Sequence, residues 1–413
     1  MVSTKVDSVV RPLRLKPQPW AFTTERNSGV TIATRKPPTP VPLILPQLYC
    51  RETLPPSDAQ LPKHHAPGTL ELTEHSGVAL IRNNVALDAK RSELIPPTFS
   101  RQRFCYHGGV IYLPEKEMYE TRDPVDLRFC IHTDCPVYYA DTEIPYVYGH
   151  VLLEALTRLW ALDEVPGDVP IATSVKPDRT FERLLSCFGL TTDRILHIDR
   201  PVIAKSAFFP TIPVARRKWV HPAAWEVFDR LKTIAASAEI SSAERIFLSR
   251  SRVSGRELMN QRQVEAYFKS KGFLVVHPQD LTIEDQIKLI SSAKLIAGLG
   301  GSAMHNAVFA SEGAKILVLC SEGWLVNVDT LLSQVPGRLG YVFGHPVEPP
   351  EAGHRTISAW RIDLNDVKDA VRRHFDLSRD GPLHAVKYGA MLLRGRGNEI
   401  PATTSRLHPG WAE

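Results

Sequence analysis

Residues 149 to 162, GHVLLEALTRLWAL, place apolar side chains at Leu152, Leu153, Leu156, Leu159 and Trp160. That spacing predicts a helix with one wide apolar face. Short apolar runs then alternate with helical patterns: a strand at 170–173, a helix at 179–188, a strand at 194–198 and a long helix at 222–238. The clearest block follows, with strands at 245–249, 273–276, 295–297 and 315–319 separated by helices near 259–270, 283–293 and 302–310. Buried strands alternating with helices imply a parallel sheet covered on both faces, hence an α/β fold. A last helix is predicted at 364–375, with Val367, Ala370, Val371 and Phe375 at helical spacing after Asp363.

Upstream of 149 the text differs. Val78-Ala79-Leu80-Ile81 and Gly109-Val110-Ile111-Tyr112-Leu113 are short β-type runs bounded by turn residues. Residues 1–68 are rich in proline, as in Lys36-Pro37-Pro38-Thr39-Pro40 and Leu54-Pro55-Pro56, so no regular helix runs through them and an extended arm is expected. The resulting division is an arm at 1–68, an α/β domain at 69–240, a second α/β domain at 241–360, and a helix with a tail at 361–413.

Composition narrows the function classes. The net charge of +5 is a small excess spread over 50 basic and 45 acidic residues. No nucleic-acid surface follows from it, though anionic small ligands or peripheral contact with an anionic membrane face are compatible. Six cysteines form no Cys-x-x-Cys pair and no Cys/His cluster at zinc spacing, so reduced, mostly buried thiols are expected, with a Cys130–Cys135 disulfide the less favoured option. The N-terminus has no apolar stretch of the secretory kind, and nothing approaches the roughly 18 apolar residues of a spanning helix. A cytoplasmic protein is expected.

The residues with chemistry fall in two places. Ala297-Gly298-Leu299-Gly300-Gly301-Ser302-Ala303 follows a strand and opens a helix, which presents backbone N–H groups where phosphate can sit. It is neither a dinucleotide fingerprint nor a Walker loop. Arg250, Arg252, Arg256 and Asn260 lie just beyond the first strand of the same block, at the sheet edge where open α/β folds bind ligands. There the arginines can neutralise a diphosphate, or simply form a solvated loop. His305 and Asn306, on the helix after the glycines, suit either ligand contact or a structural role. His150 and Glu154 stand four apart on one helix, where the carboxylate can orient the imidazole; a surface pair is the alternative.

Taken in order, Tyr148-Gly149-His150-Val151-Leu152-Leu153-Glu154, the stretch from Ser249-Arg250-Ser251-Arg252 to Asn260, Gly272-Phe273, Glu284-Asp285-Gln286-Ile287, and Gly300-Gly301-Ser302-Ala303-Met304-His305-Asn306-Ala307-Val308-Phe309 resemble glycosyltransferase family 61. The resemblance implies a GT-B fold of two Rossmann-like domains with a cleft between them. It also implies inverting transfer of a hexosyl or pentosyl unit from a nucleotide-sugar, typically UDP-linked, to a glycan or other hydroxyl acceptor, without a metal. Capsule or exopolysaccharide assembly is the setting it suggests. It assigns His150 and Glu154 to the acceptor side, where we take His150 as the base and Glu154 as its orienting partner, or as the less favoured base itself. Arg250, Arg256, Asn260, Gly301, Ser302 and Asn306 go to the donor side, to which the local pattern adds Arg252, Gly300 and His305. The chain departs from the family at Gly300, where many members carry histidine, and along Ile316-Leu317-Val318-Leu319, where an acidic residue is common. Two other classes remain open: a nucleotide-dependent oxidoreductase or epimerase, opposed by the missing fingerprint, and a non-catalytic glycan-binding protein of the same fold.

Overall fold

The structure is a computed structural model of the chain. It describes residues 14–15, 29–54, 64–89, 93–95, 109–347 and 358–377, apart from 114, 116–117, 127–128, 216–217, 326–327 and 336. Cys105, the Pro55-Pro56 pair and the tail after 377 lie outside the described residues. The fold is mixed α/β, as the pattern requires. It divides into two compact units, one within 1–43, 61–239 and 282–288, the other within 44–60, 240–281 and 289–413.

The first unit is built on a mixed sheet. Val137–Tyr139 lies between Ile171–Thr173 and Val202–Pro210 and runs parallel to both, and Ile195–His197 extends the parallel side. Leu70–Ile81 then pairs antiparallel with Val202–Pro210, and Val85–Asp88 continues the sheet. Val30–Arg35, within the stretch expected to form an extended arm, is extended and hydrogen-bonded along Leu70–Ile81. Its neighbouring prolines suit such a position, because proline lacks the N–H that a central strand must donate.

The segment from 148 to 164 is helical throughout, but not a uniform α-helix. Tyr148–His150 forms one α turn, Val151–Ala155 a π turn and Leu156–Glu164 a 3₁₀ run. Nor does it have a solvent face: residues 151–162 are all buried. The expectation of one apolar face is corrected here. The rest of the helix surface is covered by Val202–Pro210, Val30–Arg35 and the helix Pro222–Lys232. Its polar residues bond inward: Thr157 Oγ donates to Leu153 O at 2.7 Å and Trp160 Nε1 to Thr211 O at 2.9 Å.

The second unit carries five parallel strands in the spatial order Leu274–Val276, Arg245–Leu248, Leu295–Leu299, Ala314–Ser321, Gly337–Pro346. Chain order and spatial order reverse between Arg245–Leu248 and Leu295–Leu299, which makes their carboxyl ends a topological switch point, the usual ligand crevice of such sheets. Gln47–Tyr49 adds a parallel strand beside Gly337–Pro346, and Trp360–Arg361 an antiparallel one. Helices Gln261–Ser270 and Leu364–His374 pack on this sheet through Phe268, stacked on Phe247 at 4.4 Å, and through Val367, Ala370 and Val371. The Asp363 carboxylate caps the last helix by accepting from Asn365 N–H at 2.7 Å. The helix expected at 302–310 is the 3₁₀ helix Ser302–Phe309.

The five described cysteines are free thiols. Only Cys320 is buried, so the expectation that most would be is corrected. Among the described residues no helix is long and apolar enough to cross a membrane.

Candidate active site

In the first unit, polar side chains gather just past the carboxyl end of Val137–Tyr139. Asp141 is fully buried and accepts from Ser174 N–H at 2.8 Å, Ser174 Oγ at 2.5 Å and Asn84 N–H at 3.0 Å. Burial pushes its carboxyl up from the ordinary range, and these donors hold it back. Arg158, 1% exposed, donates to Asp141 O at 3.2 Å, Pro210 O at 2.6 Å and Asn84 Oδ1 at 3.3 Å. Burial lowers its pKa, opposed by Tyr139 and by the carboxylates Glu154 and Asp141. Neighbouring Glu154 divides its oxygens: Oε1 lies 2.9 Å from His150 Nδ1, and Oε2 accepts from Thr142 Oγ at 2.6 Å and Glu143 N–H at 3.3 Å. The pair predicted from spacing is therefore a buried one, its side chains 14% and 5% exposed, rather than a surface ion pair.

In the second unit, the loop after Arg245–Leu248 and the glycine turn after Leu295–Leu299 meet at the switch point. Gly301 has φ 149°, and a Cβ there would lie 2.7 Å from Arg250 Nη1 and 3.6 Å from Arg256 Nη2. Arg256 itself has φ 60° and follows Gly255 at φ 80°, a left-handed pair that non-glycine residues rarely enter. Two contacts hold it so: its carbonyl accepts from Trp360 Nε1 at 3.1 Å, and its guanidinium stacks on Trp324, 3.8 Å from the ring centroid. Burial, then the charge of Arg250, pushes Arg256 down to about 10. Burial likewise lowers Arg250, against the opposing charge of Glu257. Among the described residues no carboxylate forms an ion pair with either guanidinium. Both line a cavity of about 660 Å³ with Glu257, Arg262 and Arg361 on its walls, and a narrower one against Gly300, Trp324 and Trp360.

Two adjacent, desolvated cations face a glycine turn, and the segment that holds them has a recognised sequence signature. Residues 148–317 match the family model described as Glycosyltransferase 61. This stretch is similar to glycosyltransferase family 61. No curated protein matches the chain. The family match supports glycosyltransferase activity and so implies donor and acceptor substrates.

Against that family background, the predicted residues separate. Arg250, Arg256, Gly300 and Gly301 come together around one crevice. Ser302 opens the 3₁₀ helix beside them. Arg252 turns away to pair with Asp280. Asn260 spends its amide on the chain, donating to Ile362 O at 2.8 Å and accepting from Ile362 N–H at 3.3 Å, although the residue borders the larger cavity. His305 Nδ1 lies 2.9 Å from Asp329 Oδ1, both buried, and His305 lines neither cavity. Asn306 is 1% exposed beside it in sequence. The sequence reading passed over Trp324, Asp329 and the run Asp141-Thr142-Glu143. The last had a legible signal, three polar residues directly after an apolar strand.

Proposed function

We propose that the chain is an inverting glycosyltransferase that moves a sugar from a nucleoside-diphosphate sugar, UDP-linked, to a hydroxyl of a glycan or other acceptor. The observation that carries this reading is the Arg250–Arg256 pair, desolvated, in no ion pair with a carboxylate among the described residues and set against the glycine turn at the switch point. A diphosphate there would restore the balance of charge through charge-assisted hydrogen bonds, supplemented by the N–H groups that open Ser302–Phe309. In the reaction, the acceptor oxygen attacks the anomeric carbon as the bond from that carbon to the diphosphate oxygen breaks. The acceptor proton passes to His150 Nε2, and the charge on the departing diphosphate falls to the two arginines. Glu154, against Nδ1, orients the ring and balances the imidazolium that forms. The GT-B arrangement and metal-free transfer belong to the same proposal.

Titration calorimetry with UDP tests the donor half. Arg250→Ala and Arg256→Ala should each remove a charge-assisted contact of about 1.5 to 3 kcal/mol, a loss of roughly 10- to 150-fold in affinity. Wild-type affinity in both variants would contradict it.

A further inference from the structure

We infer that Trp324 is a positioning residue of the donor site, whose ring holds the Arg256 guanidinium beside Arg250 and so sets the affinity for the diphosphate; this rests on the donor reading given above. Arg256 Cζ lies over the Trp324 ring, 3.8 Å from its centroid. Among the described residues the N–H groups of that guanidinium make no hydrogen bond and no ion pair. Keeping it in place takes an attraction, because a like charge stands next to it. A Cβ at Gly301 would lie 2.7 Å from Arg250 Nη1 and 3.6 Å from Arg256 Nη2, so both cations crowd one turn. Burial, then the charge of Arg250, lowers Arg256 only to about 10, which leaves it cationic at neutral pH. Without a counterweight, two such groups would swing apart into water.

A carboxylate could also hold Arg256, but it would neutralise the charge and occupy the N–H donors that a phosphate needs. The face of an indole attracts the cation through its quadrupole and leaves those donors to the ligand. The ring is itself well fixed. Trp324 N–H donates to Ser321 O at 3.0 Å and Gly323 N–H to Ser321 Oγ at 3.2 Å, a tight turn directly off the strand Ala314–Ser321. The ring also lies against Gly300, where a Cβ would come within 3.2 Å of Trp324 Cζ3. One glycine turn therefore seats the ring at Gly300 and admits the guanidinium groups at Gly301. All of these residues but Gly301 line the same narrow crevice.

The test is UDP affinity by calorimetry in wild type, Trp324→Phe, Trp324→Leu, Trp324→Met, Arg256→Ala and the double variant Trp324→Leu/Arg256→Ala. Loss of the ring should weaken UDP by roughly 5- to 30-fold, and Trp324→Phe, which keeps an aromatic face, should lose clearly less. Placed on Arg256→Ala, Trp324→Leu should add little, since both act through one contact. Wild-type affinity in whichever of Trp324→Leu and Trp324→Met folds would overturn the inference, as would an equal loss in Trp324→Phe. A full additional loss on Arg256→Ala would also overturn it, because the ring would then be acting on the ligand directly. Failure of the donor reading looks different: no binding of UDP by the wild type, or wild-type affinity in Arg256→Ala, would remove the site and the inference with it.

Discussion

Gly301 shows most directly how one residue decides whether the crevice exists. At φ 149° it occupies backbone space that side-chain-bearing residues avoid, and its missing Cβ leaves room for Arg250 Nη1. Gly301→Ala should push that guanidinium out of place, because the far end of an arginine yields more easily than the sheet edge behind it. UDP affinity is expected to fall at least tenfold while the cooperative thermal transition persists; unchanged affinity would show that Arg250 does not need its present position. The glycine turn and the arginines were legible in the sequence because strand, loop and helix follow one another locally. The destinations of Asn260 and His305 were not. Asn260 bonds to a residue 102 positions away and His305 to one 24 away, and no local pattern encodes such meetings. His150 and Glu154 were readable as an i,i+4 pair, but their burial depends on chain that arrives from elsewhere.

At the scale of elements, periodicity found Ile171–Thr173, Ile195–His197, Arg245–Leu248, Leu274–Val276, Leu295–Leu299, Ala314–Ser321 and the helices between them to within a few residues, but missed the strands Val137–Tyr139, Val202–Pro210 and Gly337–Pro346. It failed on the far side of the segment at 148–164. Whether a helix face meets water is decided by what covers it, here Val30–Arg35 and Pro222–Lys232. The strand Gln47–Tyr49 was equally hidden, and a histidine fastens it. His374 Nδ1 lies 3.1 Å from Tyr49 Oη and 3.0 Å from Gln47 Oε1, and Nε2 lies 3.0 Å from Ile316 O. Burial pulls His374 down to about 4 from its ordinary 6.5. The unfolded chain therefore binds the extra proton first as pH falls. The stability this group contributes is fully present above about 6.5 and is lost progressively toward pH 4, by roughly 3 kcal/mol in all. His75, also lowered to about 4 by burial, acts in the same direction in the first unit. Urea unfolding at pH 7 and pH 5 should show the loss, and His374→Leu should flatten the dependence for the second unit. An unchanged slope in that variant would mean that the buried imidazole is not its source.

On the scale of the whole molecule, each unit places a polar cluster just past the carboxyl ends of parallel strands, one built around a histidine and a carboxylate, the other around two arginines. The matched family region, 148–317, runs through both clusters. The account assigns proton removal to the first and leaving-group stabilisation to the second, so the two functions should separate on mutation. The most direct test is single-turnover release of UDP from UDP-glucose, UDP-N-acetylglucosamine and UDP-xylose, with alkyl glycosides as acceptors. Wild type and His150→Ala are compared, beside UDP affinity by calorimetry. The account predicts acceptor-dependent release by the wild type from at least one donor, slowed roughly a hundred- to ten-thousandfold in His150→Ala, with UDP affinity unchanged. Equal release by the two proteins, or no measurable binding of UDP by the wild type, would contradict it.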